Sequence, residues 1–415
     1  MPKVTPFRAI RPNESVVDKF AALPYDVYNR KEAKSIVDQN PISFLGIDRA
    51  ETSFSDDVDT YADEVYAKAA SLLKERIGDN TLIQDDAPCY YIYELTMDGR
   101  SQTGIVACSS VDDYVNSIIK KHENTREDKE IDRIRHVDTT NAHTGPIFLI
   151  YRANSELKNI IAKVKAENSP IYDYVSEDGI GHRAYIIKEE SLVKDIQSIF
   201  EKIPCTYIAD GHHRCASAVK VGLKRRKENP NYNGEEGYNR FLSVLFPDDE
   251  LRIFDYNRVV RDLNGLTKEK FIASIEEAGF EVTEYGDTAY RPDAKGKFGM
   301  LLEGKWYVLS ASSEIQSDDP VKGLDVSILQ DYLLGPVLGI EDPRTDKRID
   351  FVGGIRGLKE LEKRCNEDMK IAFSMYPTSI SELLAVADAN LLMPPKSTWF
   401  EPKLRSGMFI HSLDD

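Results

Sequence analysis

The sequence predicts a mixed α/β protein, with a central mixed sheet and a smaller C-terminal α+β region. Two observations carry this. Short apolar, β-favouring runs alternate with segments of helical period along most of the chain. One stretch, Cys205 to Lys220, has the pattern strand, tight turn, helix. Ile203 to Ile208 is the strand, and Gly211 lets the backbone turn or approach a ligand closely. Cys215, Ala218, Val219 and Leu223 recur at helical spacing, and the helix is expected to end near Asn229-Pro230, after the basic run Lys224 to Lys227.

Ahead of that stretch, residues 7–47 form a loop-rich segment with a short helix at Arg30 to Asp38 and a strand at Ser43 to Ile47. Ser55-Asp56-Asp57 opens a helix whose apolar residues, Val58, Tyr61, Val65, Ala69, Leu72, Leu73 and Ile77, are expected in the core. Cys89 to Leu95 and Gly104 to Ser110 are strands, and Asp98-Gly99 between them predicts a hairpin. Arg126 to Arg135 is a strongly charged helix, expected to be solvated, with Ile131 and Ile134 as its apolar points. Further strands are expected at Asn141 to Tyr151 and on either side of Glu177-Asp178-Gly179, with helices at Ser155 to Ala166 and Glu189 to Lys202. Phe241 to Phe246 is a buried strand. The domain boundary is placed between 262 and 263. Residues 263–415 then form the smaller region, with helices at Thr267 to Ala278, Leu324 to Leu338 and Ile380 to Asp388 and a hairpin at Glu303-Gly304. The tail from Met393 carries aromatic, Lys and Ser residues suited to returning over a site.

Composition narrows the function. The chain has 415 residues, 41% hydrophobic and 30% charged, an ordinary globular balance. Lys+Arg 54 against Asp+Glu 70 gives a net charge of −16, which argues against a nucleic-acid partner. The five cysteines (89, 108, 205, 215, 365) form no CxxC pair, which predicts reduced thiols and a cytoplasmic location. No run is long enough to span a membrane. The oligomeric state is left open.

No P-loop, three-glycine dinucleotide fingerprint, GxSxG or HExxH pattern is present. A nucleotide must therefore be held in another way, and the Asp210 to Arg214 turn is the candidate. It sits where helix N–H groups and a partial positive charge favour an anion, most usefully a phosphate. Gly211, His212 and Arg214 are its expected nucleotide contacts, with His122 and Thr125 beside them. The second constellation is His122-Glu123. Alone, such a pair is a helix-cap carboxylate. Together with the Asp-Gly-His-His-Arg turn it suits phosphoryl transfer, which needs a carboxylate to deprotonate a hydroxyl, cations on the phosphates, and Mg²⁺. Glu123, Asp210 and His213 are the expected catalytic residues, with Asp210 also the metal ligand. Arg8, His143, Thr144, Lys396, Ser397 and Trp399 are candidates for holding the acceptor.

Ala209-Asp-Gly-His-His-Arg214 resembles the strand–turn–helix motif of the ParB/sulfiredoxin-like superfamily. Within it, the match is to free L-serine kinases, which carry Asp-Gly-His-x-Arg there. Those enzymes also carry an earlier Pro-His-Glu turn whose Glu is the base. Lys121-His122-Glu123 is similar to it, with Lys in place of Pro and a longer spacing to the second motif. The whole chain resembles a prokaryotic family of unknown function (domain of unknown function 1015), from Phe7-Arg8 and Pro24 to Val27 through to Pro395 to Phe400. These resemblances imply an ATP-dependent small-molecule kinase, with ADP as the alternative donor and free L-serine as the leading acceptor. The rival readings are a ParB-like nucleotide-binding switch without chemistry and a DNA-binding or nuclease protein.

Overall fold

The computed structural model describes residues 1–414. The chain divides into two compact units. The first is Met1–Leu251 together with the segment from Pro402 onward, and the second is Arg252–Glu401. The expected boundary was 262/263. The division falls earlier because Tyr256–Val260 pairs antiparallel with Ile349–Gly353 and Ile371–Ser374, so this strand belongs to the second sheet.

The first unit is built on a nine-stranded mixed sheet. From one edge its order is Ile119–Lys120, Thr206–Asp210, Ile147–Tyr151, Arg240–Pro247, Arg100–Ser110, Tyr90–Met97, Gly181–Ile187 and Tyr172–Val175, with Val4–Thr5 pairing off Arg100–Ser110. The expected hairpin joins Tyr90–Met97 to Arg100–Ser110. Asp98 and Gly99 both have positive φ (52° and 75°), which a two-residue turn matching the strand twist requires. Tyr90, Ile92, Ile105, Leu149, Tyr151, Ile208 and Leu245 are fully buried in one core cluster with Cys215, Ala218 and Val219 of the following helix. A second cluster gathers Phe20, Phe44, Leu45, Val65, Ala69, Leu73 and Ile410.

Three local expectations are corrected. Ser43 to Ile47 is not a strand: Leu45–Asp48 is a short helix buried on all sides, a pattern alternation cannot supply. The long helix starts at Asp63, not at Ser55, and Tyr61 and Ile77 are exposed while Val65, Ala69 and Leu73 face the core. The charged helix Glu127–Thr140 is not solvated. It buries Glu130, Asp132, Arg133, His136, Val137 and Thr140, and leaves Ile131 exposed. Partners explain the inversion: Tyr66 donates to Asp132 (2.8 Å), Arg133 pairs with Asp132 (2.9 Å) and lies 3.9 Å over the Tyr25 ring, and Lys220 pairs with Glu130.

The second unit carries a six-stranded antiparallel sheet in the order Phe280–Gly286, Lys305–Ala311, Lys297–Leu302, Ile371–Ser374, Tyr256–Val260, Ile349–Gly353. Thr267 caps the helix Lys268–Glu277, as its sequence predicts. All five cysteines are free. Among the described residues, no helix is long and apolar enough to cross a membrane.

Candidate functional site

Two strands bring the two sequence motifs together. Thr206–Asp210 pairs in parallel with Ile119–Lys120, Thr206 opposite Ile119 and Tyr207 opposite Lys120. Parallel strands leave a sheet at the same end, so His122-Glu123 emerges beside Asp210. On its other side Thr206–Asp210 runs antiparallel to Ile147–Tyr151, with a register shift between Ile208 and Asp210 that re-aims the last residue. Gly211 then takes φ 91° and precedes the helix His212–Glu228. The positive φ is what favours glycine here, and a Cβ at 211 would in addition press on the Arg214 guanidinium, 3.0 Å from Nη2.

Asp210 is held from three sides. Its Oδ1 accepts the Gly211 N–H (2.9 Å), its Oδ2 accepts from Lys403 Nζ (3.2 Å), and Arg214 Nη2 lies 3.9 Å away. Burial works to raise the Asp210 pKa. The Lys403 and Arg214 cations and the Gly211 N–H together outweigh it and hold the carboxyl well below the usual carboxylate range. Arg214 is anchored by donating Nη1 to the Pro146 carbonyl (2.7 Å).

His122 and His212 are 1% and 5% exposed, with ring centroids 4.6 Å apart and edge to face. Burial pushes the His122 imidazole down to about 4, against the pull of Asp210 and the Ile208 backbone. No partner in hydrogen-bonding geometry holds either His122 ring nitrogen, nor Nε2 of His212. Burial, then the neighbouring His122, keeps His212 well below its ordinary value. Glu123 Oε2 lies 3.9 Å from His212 Nδ1. His213 turns elsewhere: its Nε2 accepts the Arg126 N–H (2.9 Å). Thr125 donates to Glu130, the residue paired with Lys220.

The structure thus gathers His122, Glu123, Asp210, Gly211, His212 and Arg214 at one sheet end, with His213 and Thr125 on the adjoining side. Other candidates lie apart from the turn. Arg8 Nε donates to the Asp85 carbonyl (3.2 Å). His143 is buried and stacked on His411 at 5.6 Å. Thr144 donates to Asp48 (3.2 Å). These last two line a cavity of about 30 Å³ with Tyr25, Arg133, His136 and Arg214, so Arg214 belongs to both places. Lys396, Ser397 and Trp399 belong to the second unit. There Lys396 Nζ sits 5.6 Å over the Tyr256 ring, Ser397 donates to the Pro394 carbonyl (2.6 Å), and Trp399 donates to Glu401 (2.8 Å). The tail residue that meets Asp210 is Lys403, which lies in the part of the tail that joins the first unit. The tail's composition singled out its stretch, but no local pattern singled out Lys403.

The family described as "Protein of unknown function (DUF1015)" matches residues 4–327. No curated protein matches the chain. Solved structures similar to it include a free serine kinase mutant in complex with AMP (15% identity, 72% of this chain and 87% of that chain, TM-score 0.36). Others are a conserved hypothetical protein from Pyrococcus furiosus (16%, 75% and 96%, TM-score 0.34) and C-terminally truncated SbnI from Staphylococcus aureus (11%, 72% and 85%, TM-score 0.38).

Proposed function

The chain belongs to the DUF1015 family, and we propose that it is an ATP-dependent kinase that phosphorylates a small-molecule hydroxyl, with free L-serine as the leading acceptor. The observation that carries this reading is the parallel pairing that sets Glu123 beside the Asp210 to Arg214 turn. Glu123 takes the proton of the acceptor hydroxyl. The freed oxygen forms the bond to the terminal phosphorus of ATP, the bond to the leaving oxygen breaks, and ADP departs. The first N–H groups of the helix His212–Glu228, the Gly211 approach and the Arg214 guanidinium suit the phosphates. Asp210 is only partly buried and stays ionised, which fits Mg²⁺, an ion commonly held by one or two carboxylates together with phosphate oxygens. That ion supplies charge neutralisation on the phosphates. ADP is the alternative donor.

The test is an assay with ATP, Mg²⁺ and a panel of free amino acids and other small alcohols. Acceptor-dependent ADP release with matching phosphoserine is the expected result. Tight ATP binding with no transfer to any acceptor would instead favour a nucleotide-binding switch.

A further inference from the structure

We propose that His122, Glu123 and His212 form a binding site for one divalent ion of the zinc class, separate from the Mg²⁺ expected at Asp210. The inference goes beyond the kinase reading and stands without it; Glu123 would hold the ion through Oε2, the oxygen that faces His212, which leaves Oε1 for the base role of that reading. One ligand atom from each of the three side chains lies within 4.8 Å of the other two. Two imidazoles and one carboxylate are the donor set that zinc, cobalt and iron(II) take up, and three protein ligands leave a position open for water or another oxygen.

The second observation is the state of the two rings. Both histidines are almost fully enclosed, and neither the His122 ring nitrogens nor Nε2 of His212 has a partner in good hydrogen-bonding geometry, the Ile208 backbone acting on His122 only weakly against its burial. A buried imidazole without a partner forfeits the hydrogen bonds that water would give it, and native proteins rarely leave such groups unmatched. A shared ion would use that unmet capacity, one nitrogen of each ring serving as ligand.

Metal–ligand bonds of about 2.0–2.2 Å would bring the donor atoms to roughly 3.5 Å from one another. Glu123 can supply most of that movement, because its side chain is 39% exposed and extends from a loop. The ion's fixed parts would be the two rings: His122 beyond the edge strand and His212 in the first turn of the helix. In its open position the ion would bind an oxygen ligand and lower that ligand's pKa, as a Lewis acid does.

The experiment uses the full chain, stripped with chelator, dialysed and titrated with Co²⁺ at neutral pH. A visible absorption band that saturates at one equivalent and is displaced by Zn²⁺ is expected. Glu123→Gln and His212→Asn should each weaken Co²⁺ binding tenfold or more. If His212→Asn fails to fold by circular dichroism, the half-exposed Glu123→Gln decides alone. No stoichiometric binding by the unaltered chain, or unchanged affinity in Glu123→Gln, overturns the site. The readout needs no nucleotide and no turnover, so its failure leaves the kinase reading where it stood. A failed phosphotransfer assay in Mg²⁺ likewise leaves the metal site standing.

Discussion

Arg214 shows how much one side chain is asked to do. It donates to the Pro146 carbonyl, lies 3.9 Å from Asp210, approaches Gly211 and lines the small cavity with Arg133 and His136. Its action on Asp210 is electrostatic, and on the proposed phosphate it would make a charge-assisted contact. Arg214→Ala should weaken ATP binding by roughly tenfold or more with the circular dichroism spectrum unchanged. Calorimetry measures this directly, and an unaltered dissociation constant in a folded variant removes phosphate from the turn. The turn was legible in the sequence because its evidence is local: an apolar strand, one glycine, then helical spacing, all within Ile203 to Leu223. Lys403 was not, because it meets Asp210 across 193 positions and nothing in its neighbours marks it.

Elements were legible where one face is apolar and illegible where polar residues pair inward. The helix Glu127–Thr140 is the clearest case. Its charges look like a solvated face, yet Asp132 and Arg133 are buried and Ile131 is half exposed. Periodicity counts apolar residues, and cannot see that Tyr66, Tyr25 and Lys220 wait to satisfy the polar ones. Removing one member of a buried pair strands the other, at a cost of about 3–5 kcal/mol. Arg133→Ala should therefore lower the urea midpoint sharply, while Ile131→Ala should change stability by about 0.5 kcal/mol or less, as exposed positions do. The opposite ranking would mean that the helix turns its apolar residues inward. The edge strand Ile119–Lys120 carries the same lesson for the site. His122-Glu123 stands in the sequence without a stated place, and only the register of Ile119–Lys120 against Thr206–Asp210 sets it beside Asp210.

Across the molecule, ionisation divides the two units. All seven histidines lie in the first unit, and burial heads the causes that hold each below its ordinary 6.5, with His122 and His411 at about 4. Below pH 6.5 the unfolded chain binds more protons than the folded one, so this contribution is complete above about 6.5 and is lost as the pH falls. Each fully neutral histidine removes roughly 1.4 kcal/mol per pH unit in that window. In the second unit, burial raises Asp325 to about 7, opposed by the Gly296 N–H, so that unit gains from the same acidification. Both tryptophans, Trp306 and Trp399, lie in the second unit, so their fluorescence follows it alone, while hydrogen exchange in Thr206–Asp210 follows the first. Between pH 7 and pH 5 the first unit should lose stability and the second should hold or gain. A parallel loss in both contradicts this assignment. Whether the two motifs converge to transfer phosphate to a hydroxyl is decided by serine-dependent ADP release and phosphoserine formation, measured on the unaltered chain and on Glu123→Gln. Phosphoserine is expected from the former, and a kcat lower by roughly 10²–10⁴ in the variant with ATP affinity kept, because a general base acts mainly in the transition state. No phosphoserine from the unaltered chain, or equal rates from both, would contradict it.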